Sequence, residues 1–126
     1  MDVTPLIREG QQIIQSYAAG TFRVSGVSYE DALIVAPAQT VSWKNAPQSL
    51  NELDVSHFEA LLAQSADIDV LLFGTGAKMQ FIPPKLRQAL STQGLPIDVM
   101  DTGAACRTYN VLMAEGRRVV AVLMPT

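Results

Sequence analysis

The stretch Val70-Leu71-Leu72-Phe73-Gly74-Thr75-Gly76 decides the fold class. Its first part is an unbroken apolar run, which is typical of a central strand covered on both faces, and the glycines that follow favour a turn. Two further strand-sized apolar runs lie downstream, at Ile97–Met100 and Val119–Met124. Helical patterns separate the three runs. Such alternation predicts βαβ units with parallel strands and right-handed crossovers.

Two helices are predicted before the second of these strands. Ser56-His57-Phe58-Glu59 has the S-x-x-E pattern of a capping box, which predicts a helix over about 57–64. Pro83-Pro84 predicts the start of another helix, because proline is tolerated in the first turn. Gly94 stands where a glycine at the C-terminus of that helix belongs.

A third helix is predicted over about 103–114, with Thr102 as its N-cap. Apolar residues recur there at helical spacing, and Tyr109 shares their face, so we expect Tyr109 to pack in the core with its hydroxyl paired. Asn110 is a poor mid-helix residue, because its side chain competes for backbone hydrogen bonds. It therefore needs a polar contact, either within the fold or with a partner.

The first third of the chain alternates apolar and polar residues with period 2, as half-buried strands do. We expect a small antiparallel meander of short strands at Ile13–Tyr17, Phe22–Val24, Val27–Tyr29 and Leu33–Val35. Residues 37–55 predict a long loop with a short strand near Val41–Trp43, and the indole either caps the core or anchors an interface. The predicted fold class is α/β: a single three-layer domain over 1–126, with the N-terminal meander joined to a mixed central sheet and about three helices. Residues 1–11 are expected to be loosely ordered.

Composition excludes several classes of protein. At 48% hydrophobic and 17% charged residues in 126, the chain has the composition of a folded domain. A net charge of −3 argues against a nucleic-acid binder with a basic face. One Cys and one His exclude a disulfide framework and a zinc site built from several such ligands, so no metal or cofactor is predicted. The start resembles no signal peptide and no apolar run is long enough to span a membrane, so we expect a cytoplasmic protein.

Two loops are the candidate site. If the strands that precede them are parallel, the loops 74–78 and 101–107 leave the same edge of the sheet, where open α/β sheets bind ligands. The second loop leads into a helix N-terminus, which favours an anion. The glycines form neither a P-loop nor a dinucleotide fingerprint. The candidate ligand- or partner-binding residues are Gly74, Thr75, Gly76, Lys78, Thr102, Cys106, Arg107 and Asn110.

Cys106 has two interpretations. Its position near a helix N-terminus and beside Arg107 would lower the pKa of its thiol and favour reactivity. An unpaired cysteine is also among the most buried residue types and often only fills space. No catalytic residues are predicted, because the sequence supplies no partner that would activate a nucleophile.

The chain resembles a known family through two motifs. Val70–Gly76 followed by Pro84-x-Leu86 is similar to one half of its signature. Asp98-Val99-Met100-x-Thr102-x-x-Ala105-Cys106-x-Thr108-Tyr109-Asn110-x-Leu112-x-x-Glu115-Gly116-Arg117-Arg118 is similar to the other half. Phe22–Tyr29 resembles its N-terminal strand pair, and Asp54–Phe58 its first helix entry. The family is an uncharacterised one of small α/β domains that includes mitochondrial complex I assembly factor 3 and the adipogenesis-associated domain protein of animals. The resemblance covers most of 12–125 and implies a three-layer fold, with protein-binding roles for the mitochondrial members.

Two functions follow as hypotheses. The first is a non-enzymatic binding module with a protein partner, resembling a respiratory complex assembly factor. The second is a binder of a small molecule or anion, or an enzyme, that uses the crevice between loops 74–78 and 101–107. A homodimer through an exposed strand edge or Trp43 is compatible with either.

Overall fold

The computed structural model describes residues 10–126, which form strands, α-helices and short 3-10 turns. The strands are β1 (Ile14–Ser16), β2 (Phe22–Val24), β3 (Val27–Tyr29), β4 (Leu33–Ala36), β5 (Gln39–Ser42), β6 (Val70–Gly74), β7 (Ile97–Met100) and β8 (Val119–Leu123). The α-helices are α1 (Glu59–Leu62), α2 (Pro84–Thr92) and α3 (Thr102–Ala114), and the 3-10 turns are Leu50–Glu52, Val55–Phe58 and Ser65–Asp67. Residues 1–11 were predicted to be loosely ordered, and residues 1–9 of this segment lie outside the described residues.

The central sheet is mixed and has the strand order β5-β4-β8-β6-β7. Strand β6 runs parallel to both β7 and β8, with Leu71 opposite Ile97 on one side and Val120 on the other. Strands β4 and β5 are antiparallel, and β4 also pairs antiparallel with β8. The predicted parallel arrangement of the three apolar runs is therefore confirmed. Because the chain passes from β6 to β7 and then back across β6 to β8, its two crossover helices lie on opposite faces.

The N-terminal meander forms a sheet of its own. Strands β1, β2 and β3 pair antiparallel in that order, and the turn between β2 and β3 places Ser25 and Gly26 at positive φ angles of 45° and 86°. The prediction that Leu33–Val35 belongs to this meander is wrong, because β4 pairs in the central sheet. Every residue of β4 is apolar, and such a strand suits a sheet that is covered on both faces.

The central sheet is the middle of three layers, as predicted. On one face, Leu72 packs with Phe22 of the small sheet and with Tyr109 and Met113 of α3. The other face carries a second apolar cluster, which α2 and the segment around the 3-10 turns cover. Its members include Trp43, Phe58, Phe73, Leu86 and Leu90. Successive residues of β6 alternate between the two clusters, which is the period of a strand buried on both sides.

Trp43 belongs to the core. Its ring centroid lies 5.8 Å from that of Phe58 and 6.0 Å from that of Phe73, and its indole Nε1 donates to the carbonyl oxygen of His57 at 3.2 Å. Since the side chain is buried and its polar atom is paired, the prediction that Trp43 caps the core is the one that the geometry favours.

The helix predicted over 57–64 is much shorter than expected. The α-helical part is α1, and a 3-10 turn precedes it. Asp54, not Ser56, caps that turn: its carboxylate accepts from the Ser56 amide at 2.7 Å, while His57 Nδ1 accepts from the Asp54 amide at 3.0 Å. The reciprocal pattern is thus shifted two residues towards the N-terminus, and it uses a carboxylate and an imidazole in place of the hydroxyl and the glutamate.

Gly74 is the last residue of β6 and lies against Thr102, the first residue of α3. A Cβ atom placed there would lie 2.9 Å from both the Cα and the Oγ1 of Thr102, and 3.1 Å from a methyl carbon of Leu123. The Thr102 Cα belongs to the backbone and cannot rotate away. Glycine is therefore required at this position by lack of space.

We predict that Gly74→Ala lowers the free energy of unfolding by about 1 to 3 kcal/mol, because the added methyl group overpacks this contact. Urea denaturation followed by circular dichroism measures the change. Ser28→Thr adds one methyl group on the exposed surface of β3 and is the control, expected within about 0.5 kcal/mol of the unmodified protein. A Gly74→Ala protein as stable as the control would contradict the packing described here.

Candidate functional site

The two loops predicted to flank a crevice bond directly to each other. The Thr75 amide donates to the Met100 carbonyl at 2.9 Å, and the Thr102 amide donates to the Gly76 carbonyl at 2.9 Å. The Gly76 amide in turn donates to the Thr102 hydroxyl at 2.8 Å. The loops do converge on the same edge of the sheet, as the parallel strands require. Where the loops do not bond to each other, a shallow concavity lies between them, lined by Gly76, Ala77, Asp101, Gly103 and Arg107 among others.

Thr102 joins the ends of three strands. Its hydroxyl accepts from the Gly76 amide, just after β6, and donates to the Met124 carbonyl at 2.6 Å, just after β8. Thr102 itself follows β7 and is fully buried. The prediction that Thr102 caps α3 is wrong, because the carboxylate of Asp101 accepts from the Ala104 amide at 2.8 Å and so caps the helix. The threonine hydroxyl is already occupied by its two backbone partners.

Thr75 and Lys78 shape the loop that follows β6. The buried Thr75 hydroxyl donates to the Lys78 carbonyl at 2.7 Å and accepts from the Gln80 amide at 3.1 Å. These bonds fix the loop backbone as far as Gln80. The residue Lys78 is exposed, so its ammonium is accessible from solvent.

The N-terminus of α3 is a poor anion site in this arrangement. The Thr102 and Ala104 amides both donate within the protein, and the capping Asp101 carboxylate places a negative charge at the helix end. Beside it remains a shallow concavity of about 290 Å³, where Arg107 donates to the hydroxyl of Tyr17 at 2.8 Å. Arg107 thereby contacts the end of the N-terminal strand segment.

Cys106 is buried in the apolar cluster between α3 and the central sheet. Burial raises the pKa of its thiol from 9.0 to about 12, although the neighbouring Arg107 acts in the opposite direction. The thiolate that a nucleophile needs is therefore scarce at neutral pH. Of the two interpretations of Cys106, the geometry favours the inert core residue.

Asn110 and the neighbouring Tyr109 hold strand β1 against α3. The Asn110 side chain accepts from the Ile14 amide at 2.9 Å and donates to the Ile14 carbonyl at 2.8 Å, so it pairs with the backbone as a neighbouring strand would. The Tyr109 hydroxyl donates to the Gln12 carbonyl at 2.8 Å, which is the pairing predicted for it. The polar contact that Asn110 needs thus lies within the fold.

Among residues 10–126, the most exposed large apolar side chain lies elsewhere, on a segment that sequence analysis missed. Phe81 is 87% exposed, and Met79 on the same loop is 45% exposed. We call residues 78–82 the Phe81 loop. Next to it is a groove of about 780 Å³, the α2 groove, lined by Phe81, Ile82, Pro84, Arg87, Gln88, Ser91 and Thr92.

Local contacts explain why Phe81 projects outward. The Thr75 hydroxyl fixes the backbone at Gln80, and Pro83-Pro84 begins α2 immediately after the loop. Between these fixed points Ile82 turns inward and is buried, which leaves Phe81 outside. The sequence signal that could have indicated Phe81 is an aromatic residue in a loop that runs from Gly76 to Pro83 and also contains Lys78. This pattern does not show whether the aromatic side chain lies in the core or on the surface.

The fold and this site define a small three-layer α/β domain whose loops at the carboxyl edge bond to each other and whose α2 face carries an exposed phenylalanine. The chain belongs to the family described as "Protein of unknown function (DUF498/DUF598)", whose sequence model matches residues 14–124. The family resemblance predicted from the sequence motifs is confirmed.

Individual relatives agree with this assignment. An uncharacterized protein of Rhodobacter capsulatus is 33% identical, over 89% of this chain and 83% of that protein. The mouse protein named NADH dehydrogenase [ubiquinone] 1 alpha subcomplex assembly factor 3 is 32% identical over 89% of this chain, which spans 60% of the mouse protein. A crystal structure of a Bordetella parapertussis protein superposes with a TM-score of 0.81 at 35% identity, covering 93% of this chain and 98% of that one.

Two observations bear on cofactors and membranes. Across residues 10–126, His, Cys, Asp and Glu side chains form no group of three that could hold a metal ion. None of the helices in the same range combines the length and the apolar character that crossing a bilayer requires.

We predict that Thr102→Val exposes the Gly76 amide to faster hydrogen exchange and lowers the free energy of unfolding by about 2 kcal/mol, because two backbone groups lose their partner. Thr102→Ser keeps the hydroxyl and is the matched control. Hydrogen exchange followed by NMR measures the Gly76 amide directly. Equal exchange in the Val and Ser variants would contradict the role assigned to the hydroxyl.

We also predict a specific alkaline destabilisation. The unfolded chain releases the Cys106 proton near pH 9, whereas the folded protein retains it until about pH 12, so the stability that this group contributes is complete below pH 9 and is lost between those values. Urea denaturation from pH 8 to 11 should show a shallower decline for Cys106→Ala. At pH 8 the native thiol should alkylate far more slowly than the same thiol in urea. Equal alkylation rates would show that the thiol is accessible and would refute the assignment.

Proposed function

We propose that this protein is a non-enzymatic binding module that takes part in the assembly of a multi-subunit complex, and that the Phe81 loop with the α2 groove contacts its partner. The observation that carries the proposal is the exposure of Phe81 beside the groove. Large aromatic side chains at the centre of an interface contribute a disproportionate share of binding energy. Exposing one in water is unfavourable unless a partner covers it.

The similarity to relatives supports the assembly role. The mouse relative is named an assembly factor of NADH dehydrogenase, and the similarity extends over 89% of this chain. An assembly factor acts by binding subunits. The corresponding role proposed for this chain is to bind a protein partner in the cytoplasm. The product of the assembly would be a membrane or respiratory complex.

The polar side chains among the predicted site residues also favour a binding module. Thr75, Thr102 and Asn110 each use their side chains in bonds to this chain's own backbone. Cys106 is buried among apolar side chains. The ligand-binding alternative retains the shallow concavity beside Arg107, which is less than half the volume of the α2 groove. The partner-binding proposal therefore has the stronger geometric support.

We predict that Phe81→Ser lowers recovery of the partner about thirtyfold without lowering thermal stability, because the lost side chain contacts the partner and supports no part of the core. Affinity capture from the native cell with mild crosslinking, quantified by mass spectrometry, measures recovery. Melting followed by circular dichroism measures stability.

Val111→Ser is the matched control for this experiment. Val111 is also apolar and 53% exposed, but it lies on α3, across the central sheet from α2. Its substitution should leave recovery unchanged. If Phe81→Ser and Val111→Ser recover the same proteins in equal amounts, the assignment of the partner surface fails.

A further inference from the structure

Charge is distributed unevenly along the chain in a way that singles out the α2 face. Residues 70–97 contain Lys78, Lys85 and Arg87 and no acidic residue. The rest of the chain carries six basic and twelve acidic residues. Segment 70–97 therefore has a charge of +3, although the whole chain has a net charge of −3. That segment contains both the Phe81 loop and α2.

One of the three basic side chains lines the α2 groove, and the other two belong to the loop and the helix that form it. Arg87 lines the groove, Lys85 is exposed in the first turn of α2, and Lys78 is exposed at the start of the Phe81 loop. In the part of the chain that the structure describes, the one ion pair joins Arg118 to Asp69, so Lys78, Lys85 and Arg87 form none. The cations beside the groove are therefore available to a partner.

The charge and the shape of the α2 groove discriminate between three possible occupants: a second copy of this chain, a lipid bilayer and a polypeptide segment of a partner. A second copy of this chain that docked through the same surface would bring Lys85 and Arg87 near the same residues, and like charges across an interface are costly. A lipid bilayer presents a broad surface that leaves a concave groove of about 780 Å³ unfilled. A polypeptide segment can place an apolar side chain in the groove and carboxylates beside the cations.

We propose that the partner of this protein binds the α2 groove through an acidic segment that carries an apolar anchor. The anchor packs between Phe81 and the first turns of α2, as an amphipathic segment does in a hydrophobic groove. Its carboxylates pair with Arg87 and Lys85. This inference rests on the proposed partner-binding function and adds the chemistry of the partner.

A photocrosslinking amino acid at Gln88 tests the inference, because Gln88 is exposed and lines the α2 groove. The crosslinked protein is isolated from the native cell, and the attached segment is sequenced by mass spectrometry. The same crosslinker at the exposed Ser28 on β3 is the control, because it reports proteins that crosslink only because they are abundant in the cell. We expect a Gln88-specific segment that is rich in Asp and Glu and contains a large apolar residue.

The charge requirement is tested with variants. The double variant Lys85→Glu/Arg87→Glu should lower crosslinking at Gln88 about tenfold, while Lys85→Arg/Arg87→Lys should retain it. Folding should survive the reversal, since both side chains are exposed and an acidic residue in the first turn favours a helix. A synthetic peptide of the crosslinked sequence should bind about ten times more weakly at 300 mM than at 50 mM salt.

Each other outcome overturns the inference. Crosslinks to a second copy of the chain, a segment without acidic enrichment, or equal crosslinking by the charge-reversed variant would each refute it. Phe81-dependent pelleting with phosphatidylglycerol vesicles, together with crosslinks to lipid at Gln88, would assign the surface to a membrane. If capture depends on Phe81 and Gln88 forms no crosslink to a protein, the acidic-segment inference fails and the proposed function stands. If capture does not depend on Phe81, both fail.

Discussion

The hydroxyl group of Thr102 connects the ends of the three parallel strands. It lies against Gly74 and binds the backbone just beyond β6 and β8, while its own residue begins α3 directly after β7. Three parallel strands are thereby held in register at one edge by a single buried side chain. Because the contact is so close, it also determines that residue 74 must be a glycine.

This arrangement decides where the molecule can bind something else. In many open α/β sheets the carboxyl edge is the ligand-binding edge, since loops there leave a crevice between adjacent strands. Here the loops after β6 and β7 hydrogen-bond to each other, and Asp101 caps the helix end that would attract an anion. The α2 face, where Phe81 projects beside a groove that Arg87 lines, is the surface that we propose for partner binding.

Sequence reasoning predicted the elements whose signals are local. The run Val70–Phe73 could be interpreted as a strand covered on both faces because every position is apolar. Sequence reasoning could not place Asn110, whose partner Ile14 lies 96 residues away. It named Thr102 as the cap of α3, whereas Asp101 caps that helix because the threonine hydroxyl is occupied by distant backbone groups. Phe81 was missed for a similar reason: whether an aromatic residue before Pro83-Pro84 points inward depends on how Thr75 fixes the loop, which the pattern of residues does not show.

We infer that the carboxyl edge stabilises the fold while the α2 face binds the partner. Hydrogen–deuterium exchange of the free protein and of the complex recovered with it distinguishes the two surfaces. We expect new protection in residues 79–92 on binding, with exchange in 101–107 unchanged. Protection that appears in 101–107 and is absent from 79–92 would contradict it.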